Sequence, residues 1–236
     1  MTTLFLSRAR LRQDASVAAL ARLLLPEAKG ERVAAGHRLV WSLFAGDPAQ
    51  KRDFLWREEG DGRFMLLSPS RPLDPHPLME VESQPYTPNL AAGDRLHFVL
   101  RANPVISRSE APGQRGKRHD VVMDALYATP RGARAEARFA ALQQAGSAWL
   151  IKQGQAHGFE LAAEPVVDGY ERLRLPRPNP EPGKDKPPPP PAIFGVMDFA
   201  GTLRVTDPAC FLAAQAKGFG RARGFGFGLM LIRRAV

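Results

Sequence analysis

Five histidines, His37, His76, His97, His119 and His157, are the side chains of this sequence able to move protons near neutral pH. None sits in a His-Glu-x-x-His pattern or at ligand spacing from a carboxylate, so no metal centre is expected. The single cysteine, Cys210, excludes an internal disulfide and a cysteine-built zinc site and suits a reducing cytoplasm. His76 lies between prolines, His97 in an expected strand and His157 near a helix end. His37 differs. Residues 33–44 read as a helix, and at ~100° per residue Val33, Val40 and Phe44 centre its apolar face. His37 falls beside that face with Trp41 beyond it, while Arg38 and Ser42 take the polar side. A histidine on this boundary suits either packing or acid–base chemistry.

The second candidate is the run KGFGRARGFGFGLML, Lys217–Leu231, with glycines at 218, 220, 224, 226 and 228. A dinucleotide fingerprint needs a strand before it and a helix after it. Here a helix precedes and a strand follows. A Walker loop also fails, because no Gly-Lys-Ser/Thr is present. What remains is a backbone loop free of side-chain bulk, flanked by Lys217, Arg221 and Arg223. Such a loop lets a phosphate chain approach the main-chain N–H groups. The bland alternative is a tight helix-to-strand connection. Phe219, Phe225 and Phe227 could stack on bases, but alternation into a strand favours packing for the last two.

Composition sets the class of partner. The chain carries 33 Lys+Arg against 24 Asp+Glu, a net +9, with a pI of about 10.3. A polyanion is called for, and nucleic acid is the commonest. With 44% hydrophobic residues, a packed core is expected and wholesale disorder is excluded. No apolar run approaches the ~18 residues of a membrane span, and the N-terminus lacks a signal-peptide pattern, so no membrane partner and a cytoplasmic location are expected. The charge is uneven: residues 1–105 hold 14 basic and 12 acidic side chains, residues 106–236 hold 19 and 12. No acid follows Asp207. Further basic clusters are Arg115, Lys117 and Arg118, and Arg131, Arg134 and Arg138, the last three spaced for one helix face.

The elements that would position these groups follow a repeating order. Residues 3–10 alternate as a strand, the His37 helix follows, and residues 53–57 and 64–68 read as a hairpin. Residues 69–88 are Pro-rich and resist assignment; residues 95–102 alternate as a strand that stops at Asn103-Pro104. In the second half, residues 131–154 read as a helix and 160–167 and 171–175 as strands. Residues 193–205 read as a strand or hairpin, 208–217 as a helix and 228–232 as a last strand. The expectation is an α+β fold of two tandem ferredoxin-like (RRM-like) domains. The boundaries are 1–104, a linker or polar loop at 105–130, and 131–236, with a Pro-rich insert at 176–191 and the glycine-rich loop at 218–228. The insert holds nine of the 22 prolines and should be extended polyproline II.

Four stretches carry a resemblance: His37, Trp41 and Phe44 in the first helix; Arg52-Asp53-Phe54-Leu55; Leu100-Arg101-Ala102-Asn103-Pro104; and the glycine-rich loop. Together they are similar to the CRISPR-associated endoribonuclease CasE, the precursor-RNA-processing subunit of type I-E Cascade. The resemblance implies two ferredoxin-like domains, recognition of a CRISPR repeat RNA hairpin, and cleavage at its 3′ base by 2′-OH attack on the adjacent phosphate. It implies no metal and no cofactor, a 5′-OH end, and a 2′,3′-cyclic or 3′ phosphate. The enzyme would then stay on the guide RNA beside other Cascade subunits.

Carried over by position, His37 is the catalytic residue. The RNA-binding set is Arg38, Arg101, Lys117, Arg118, Arg131, Arg134, Arg138, Lys217, Gly218, Gly220, Arg221, Arg223 and Gly224. Arg38, Lys217, Arg221 and Arg223 are candidates to stabilise the anionic phosphorane. The general acid is left open, because the position three residues before His37, often tyrosine in this family, is Ala34. The alternative is a non-catalytic RNA-hairpin-binding protein. A third reading is an unrelated ferredoxin-like protein that binds DNA or an acidic partner.

Overall fold

The computed structural model describes residues 3–45, 53–109, 114, 116–175 and 189–235. The chain divides into two compact units: Met1–Thr87 with Arg172–Phe194 and Gly224–Gly226, and Pro88–Glu171 with Gly195–Arg223 and Phe227–Val236.

The first unit begins with β1 (Leu4–Leu11), whose alternation buries Ala9 and Leu11 and exposes Arg8 and Arg10. Three helices follow, α1 (Ala15–Ala19), α2 (Ala21–Leu24) and α3 (Lys29–Ser42). β2 (Leu55–Gly60) and β3 (Arg63–Ser68) turn at Asp61-Gly62, whose φ values of 49° and 69° are those a two-residue type I′ turn requires. β4 (Met79–Tyr86) closes the sheet in the order β2-β3-β1-β4, with every pairing antiparallel. This is ferredoxin-like βαββαβ without its second helix, since residues 69–78 hold none. Leu39, Val40 and Leu43 of the α3 region pack with Trp56, Phe64 and Met79 in the core.

The closing strand differs from the expectation. Residues 95–102 belong to the other sheet, and the closing strand arises inside the Pro-rich stretch. β4 lies at a sheet edge, where Pro85 removes no obligatory ladder bond.

The second unit comprises β5 (Arg95–Ala102), a hairpin of β6 (Val105–Arg108) and β7 (Lys117–Asp120), α4 (Val121–Ala125) and α5 (Arg134–Ala156). These are followed by β8 (Phe159–Leu161), β9 (Val166–Leu175), β10 (Ala192–Val205), α6 (Pro208–Lys217) and β11 (Met230–Arg234), with Arg172–Leu175 of β9 and Ala192–Phe194 of β10 counted in the first unit. The sheet order is β11-β5-β10-β8, with β9 also on β10. In ferredoxin terms this again places the first and third strands at the centre. Residues 105–130, expected as a linker, instead hold the β6–β7 hairpin and α4. Asp120 caps α4 by accepting from the N–H groups of Val122 and Met123, and Val121, Val122 and Leu126 join the second core. α6 runs where the sequence placed it, because Asp207 caps its N-terminus, Pro208 opens it and Gly218, at φ 78°, ends it. Most of the Pro-rich insert, residues 176–188, lies outside the described residues, as does Arg115. Among the described residues no helix is long and apolar enough to cross a membrane.

Candidate functional site

His37 sits half-buried at the edge of α3. Ala35, Gly36, Leu39 and Val40 of the same helix are buried and Arg38 is exposed. Its Nδ1 is buried. Its ring centroid lies 5.5 Å from that of Phe225 and 6.3 Å from that of Trp41. Phe225 is itself 5.5 Å from Phe194, and Trp41 is 5.5 Å from Phe54. An imidazole set between rings has its orientation fixed by packing, as a proton-transfer group requires.

Trp56 accounts for the placement of Phe225. This buried β2 indole donates from Nε1 to the Gly224 carbonyl at 3.0 Å. Glycines admit the ring on both sides: a Cβ at Gly36 would lie 3.0 Å from Cη2, and one at Gly226, with φ +82°, 2.8 Å from Cζ3. The segment 224–226 is thereby pinned with Phe225 against His37. Ala34, one turn before His37, supplies no hydroxyl.

His76, the other histidine of this unit, is structural. Its Nδ1 accepts from the N–H groups of Leu78 and Met79, both at 3.2 Å, so Nε2 carries the proton and donates to Ser42 Oγ. Burial pushes its pKa below the ordinary value; a hydrogen bond to the Ser42 backbone opposes this and the Arg12 guanidinium adds to it.

The glycine-rich loop has a second anchorage in the second unit. The Arg221 N–H donates to the Asn103 carbonyl at 3.1 Å, the Gly228 N–H to the Arg101 carbonyl at 2.7 Å, and the Phe219 N–H to the Gly228 carbonyl at 2.9 Å. Asn103 Nδ2 reaches the Gly195 carbonyl at 2.6 Å. The Leu-Arg-Ala-Asn-Pro stretch thus works as a clasp for the loop. Gly220 must be glycine because a Cβ there would lie 2.8 Å from the Asn103 carbonyl oxygen.

Beside this loop is an open cleft of about 620 Å³. Arg118, Lys217, Arg221 and Arg223 supply charge, and no carboxylate is among the described residues that line it. Gly218 and Gly220 also line it, so the structure brings together six of the residues expected from sequence. Arg223 is partly committed, since its guanidinium donates to the Lys217 and Gly218 carbonyls at the α6 C-terminus.

Other expected contacts lie elsewhere. Arg101 is held by Asp198 at 2.8 Å and Glu171 at 3.3 Å, with its charge answered inside the fold. Arg134 donates to the Thr129 and Tyr127 carbonyls, Arg138 lies over the Tyr170 ring, and Arg131 falls in a short 3₁₀ turn ahead of α5. These three gather at the α5 N-terminus; Arg138 is eleven residues, ~16 Å, from Trp149 in the cleft wall. Lys117 is exposed on β7, and Gly224 is taken up with Trp56.

Sequence reading missed Trp149, Gln153, His157 and Cys210 in the cleft. The first three recur every four residues, two on one face of α5 and His157 at its C-cap, a spacing the sequence did contain. Among the described residues, no group of His, Cys, Asp or Glu side chains is placed to hold a metal ion.

Two ferredoxin-like units, one with a ring-clamped histidine and one with a basic cleft under a glycine-rich loop, define a tandem ferredoxin-like protein suited to a polyanionic partner. A family model described as CRISPR associated protein matches residues 4–234, and the chain belongs to that family, as its resemblance to CasE implied. Solved structures share the fold. CRISPR endoribonuclease Cse3 bound to 19 nt RNA superposes with a TM-score of 0.66 at 21% identity, covering 99% of each chain. Thermus thermophilus Cse3 bound to an RNA representing a pre-cleavage complex gives 0.65 at 21% identity, over 98% of this chain and 99% of that one. Cas6e from Escherichia coli str. K-12 gives 0.56 at 19% identity, over 98% and 100%. No curated protein sequence gives a significant match.

Proposed function

We propose that this protein is an endoribonuclease that cleaves the repeat stem-loop of CRISPR precursor RNA and stays on the product as a Cascade subunit. The observation that carries this reading is His37, half-exposed and clamped by Trp41 and Phe225 in a chain of the CRISPR-associated family. Family relatives named as RNA-bound endoribonucleases, and others named as parts of an RNA-guided surveillance complex, support the choice of substrate and partners.

The chemistry asks for two proton transfers, one off the attacking 2′-OH and one onto the departing 5′-oxygen. An imidazole titrating near neutrality can serve either. The attack forms a bond from the 2′-oxygen to phosphorus and breaks the bond to the 5′-oxygen, leaving a 2′,3′-cyclic phosphate and a 5′-OH. Arg38, exposed one residue beyond His37, is a candidate on the same helix to stabilise the anionic phosphorane. No metal is required by this scheme. The basic cleft of the second unit holds RNA phosphates.

Incubation of the protein with a repeat hairpin in EDTA tests the reading: cleavage is expected to persist, and loss of cleavage in EDTA would overturn the metal-free scheme. A second reading, a hairpin-binding protein that does not cut, is favoured by Ala34, which leaves no hydroxyl one turn from His37. It predicts tight, salt-sensitive hairpin binding with no product.

A further inference from the structure

The cleft of the second unit is built for more than a passing phosphate. A phosphate track needs charge along an open surface. This site is a concavity of about 620 Å³, inside the ~300–1,000 Å³ range of small-ligand pockets. Its cations are grouped: Lys217 and Arg221 stand on the α6 end and the loop, and Arg118 on β7. The α5 wall is different in chemistry. Trp149 and Gln153 line it from one face of α5, and His157 from the residue that caps the helix. Trp149 is 7% exposed and stacks on Phe199, and His157 is held edge-on by buried Phe219 at 5.8 Å. An indole edge, an amide and an imidazole are the groups that seat a nucleobase and read its hydrogen-bonding edge. Gly218 and Gly220 supply main chain alone on the loop side, which leaves room for a planar ring.

A base inside an RNA stem is stacked and cannot enter such a pocket; an unpaired one can be splayed out into it. We propose that this cleft binds one unpaired nucleotide, its base on the wall of Trp149, Gln153 and His157 and its phosphate among Arg118, Lys217 and Arg221. As an account of RNA recognition this rests on the endoribonuclease reading; as a nucleotide site it stands on the cleft alone.

Cys210 gives the test. It is the only cysteine in the chain, is part-exposed and lines the cleft, so its alkylation by N-ethylmaleimide, followed by intact mass, reports occupancy. Each of the four nucleoside 5′-monophosphates is titrated against inorganic phosphate on the full chain, and a repeat hairpin with flanking unpaired nucleotides is tested in parallel for binding and for protection. At least one nucleotide is expected to protect, slowing alkylation about sixfold at a concentration about five times its dissociation constant. Inorganic phosphate at the same concentration is expected to leave the rate unchanged. Gln153→Ala and His157→Ala should lose nucleotide protection while the basic side chains remain. Equal protection by inorganic phosphate overturns the proposal, because the cleft is then a phosphate site only. Hairpin binding with no change in Cys210 reactivity also overturns it and leaves the endoribonuclease reading intact. Nucleotide protection without hairpin binding upholds the pocket and contradicts the RNA-hairpin reading.

Discussion

Two histidines in the first unit show how neighbours set the role of one side-chain type. His76 spends both ring nitrogens on the fold: Nδ1 accepts two backbone N–H bonds and Nε2 meets Ser42. Since burial lowers its pKa, the folded protein holds it neutral while the unfolded chain takes up a proton near pH 6.5. Its contribution to stability is therefore complete above about pH 6.5 and is lost as pH falls from there through the lower folded value. Thermal unfolding from pH 8 to pH 5 should show a Tm that drops below about 6.5, and His76→Gln should lower the Tm at pH 8 and flatten that drop. A variant with the wild-type pH slope would contradict the assignment. His37 has its Nδ1 buried and the Trp41 and Phe225 rings as neighbours, and it is the half-exposed histidine of the unit, the one proposed for chemistry. Its helix position was legible from periodicity, but periodicity alone equally allowed a packing role. The family resemblance favoured the catalytic one, and Phe225 was beyond reach because only the tertiary fold brings a residue 188 positions later onto the same ring.

At the scale of elements, the loop that carries Phe225 is placed by bulk denied rather than bulk added. Trp56 fits because Gly36 and Gly226 lack side chains. Gly226→Ala should cost about 1–3 kcal/mol through overpacking and its positive φ. By shifting Phe225 it should slow single-turnover cleavage on the order of 10–100-fold with hairpin affinity kept. A stable variant that cleaves at the wild-type rate would show that Phe225 does not position His37. Elements with local punctuation were readable: α6 has its Asp207 cap, its Pro208 start and its glycine end, and the β2–β3 hairpin has Asp61-Gly62. Elements whose composition argued against them were not. β4 contains Pro85 and follows a Pro-rich stretch, and it holds its place by pairing with β1 at an edge and by burying Met79 in the core. The β6–β7 hairpin and α4 read as a linker because Gly and Pro sit between the strands, although Val121 and Val122 anchor them in the second core.

Among the described residues the cations divide into those answered within the fold and those that face the cleft of the second unit. Arg101, Arg134 and Arg138 answer carboxylates, carbonyls and a ring within the fold. Arg118, Lys217 and Arg221 face a cleft with no described carboxylate. Sequence counting could not separate the two sets, since a basic side chain adds the same charge in either; only the partners separate them. Hairpin affinity measured from 50 to 300 mM salt should therefore respond selectively. Arg221→Ala or Lys217→Ala should each reduce the slope of log K against log salt by about 0.7–0.9, the loss of one phosphate contact. Arg101→Met should lower the Tm and leave that slope unchanged. An unchanged slope in the Lys217 and Arg221 variants would contradict the cleft as an RNA contact.

On this reading His37 is what makes the chain a nuclease rather than a clamp. The most direct measurement is single-turnover cleavage of a radiolabelled repeat hairpin in EDTA, wild type beside His37→Ala, with binding of an uncleavable 2′-deoxy hairpin measured on both proteins. One cut with a 5′-OH product is expected, with a rate lowered about 10²–10⁴-fold in the variant and equal affinity for the 2′-deoxy hairpin. Cleavage by His37→Ala at the wild-type rate, or tight binding with no cleavage by the wild type, would contradict this reading.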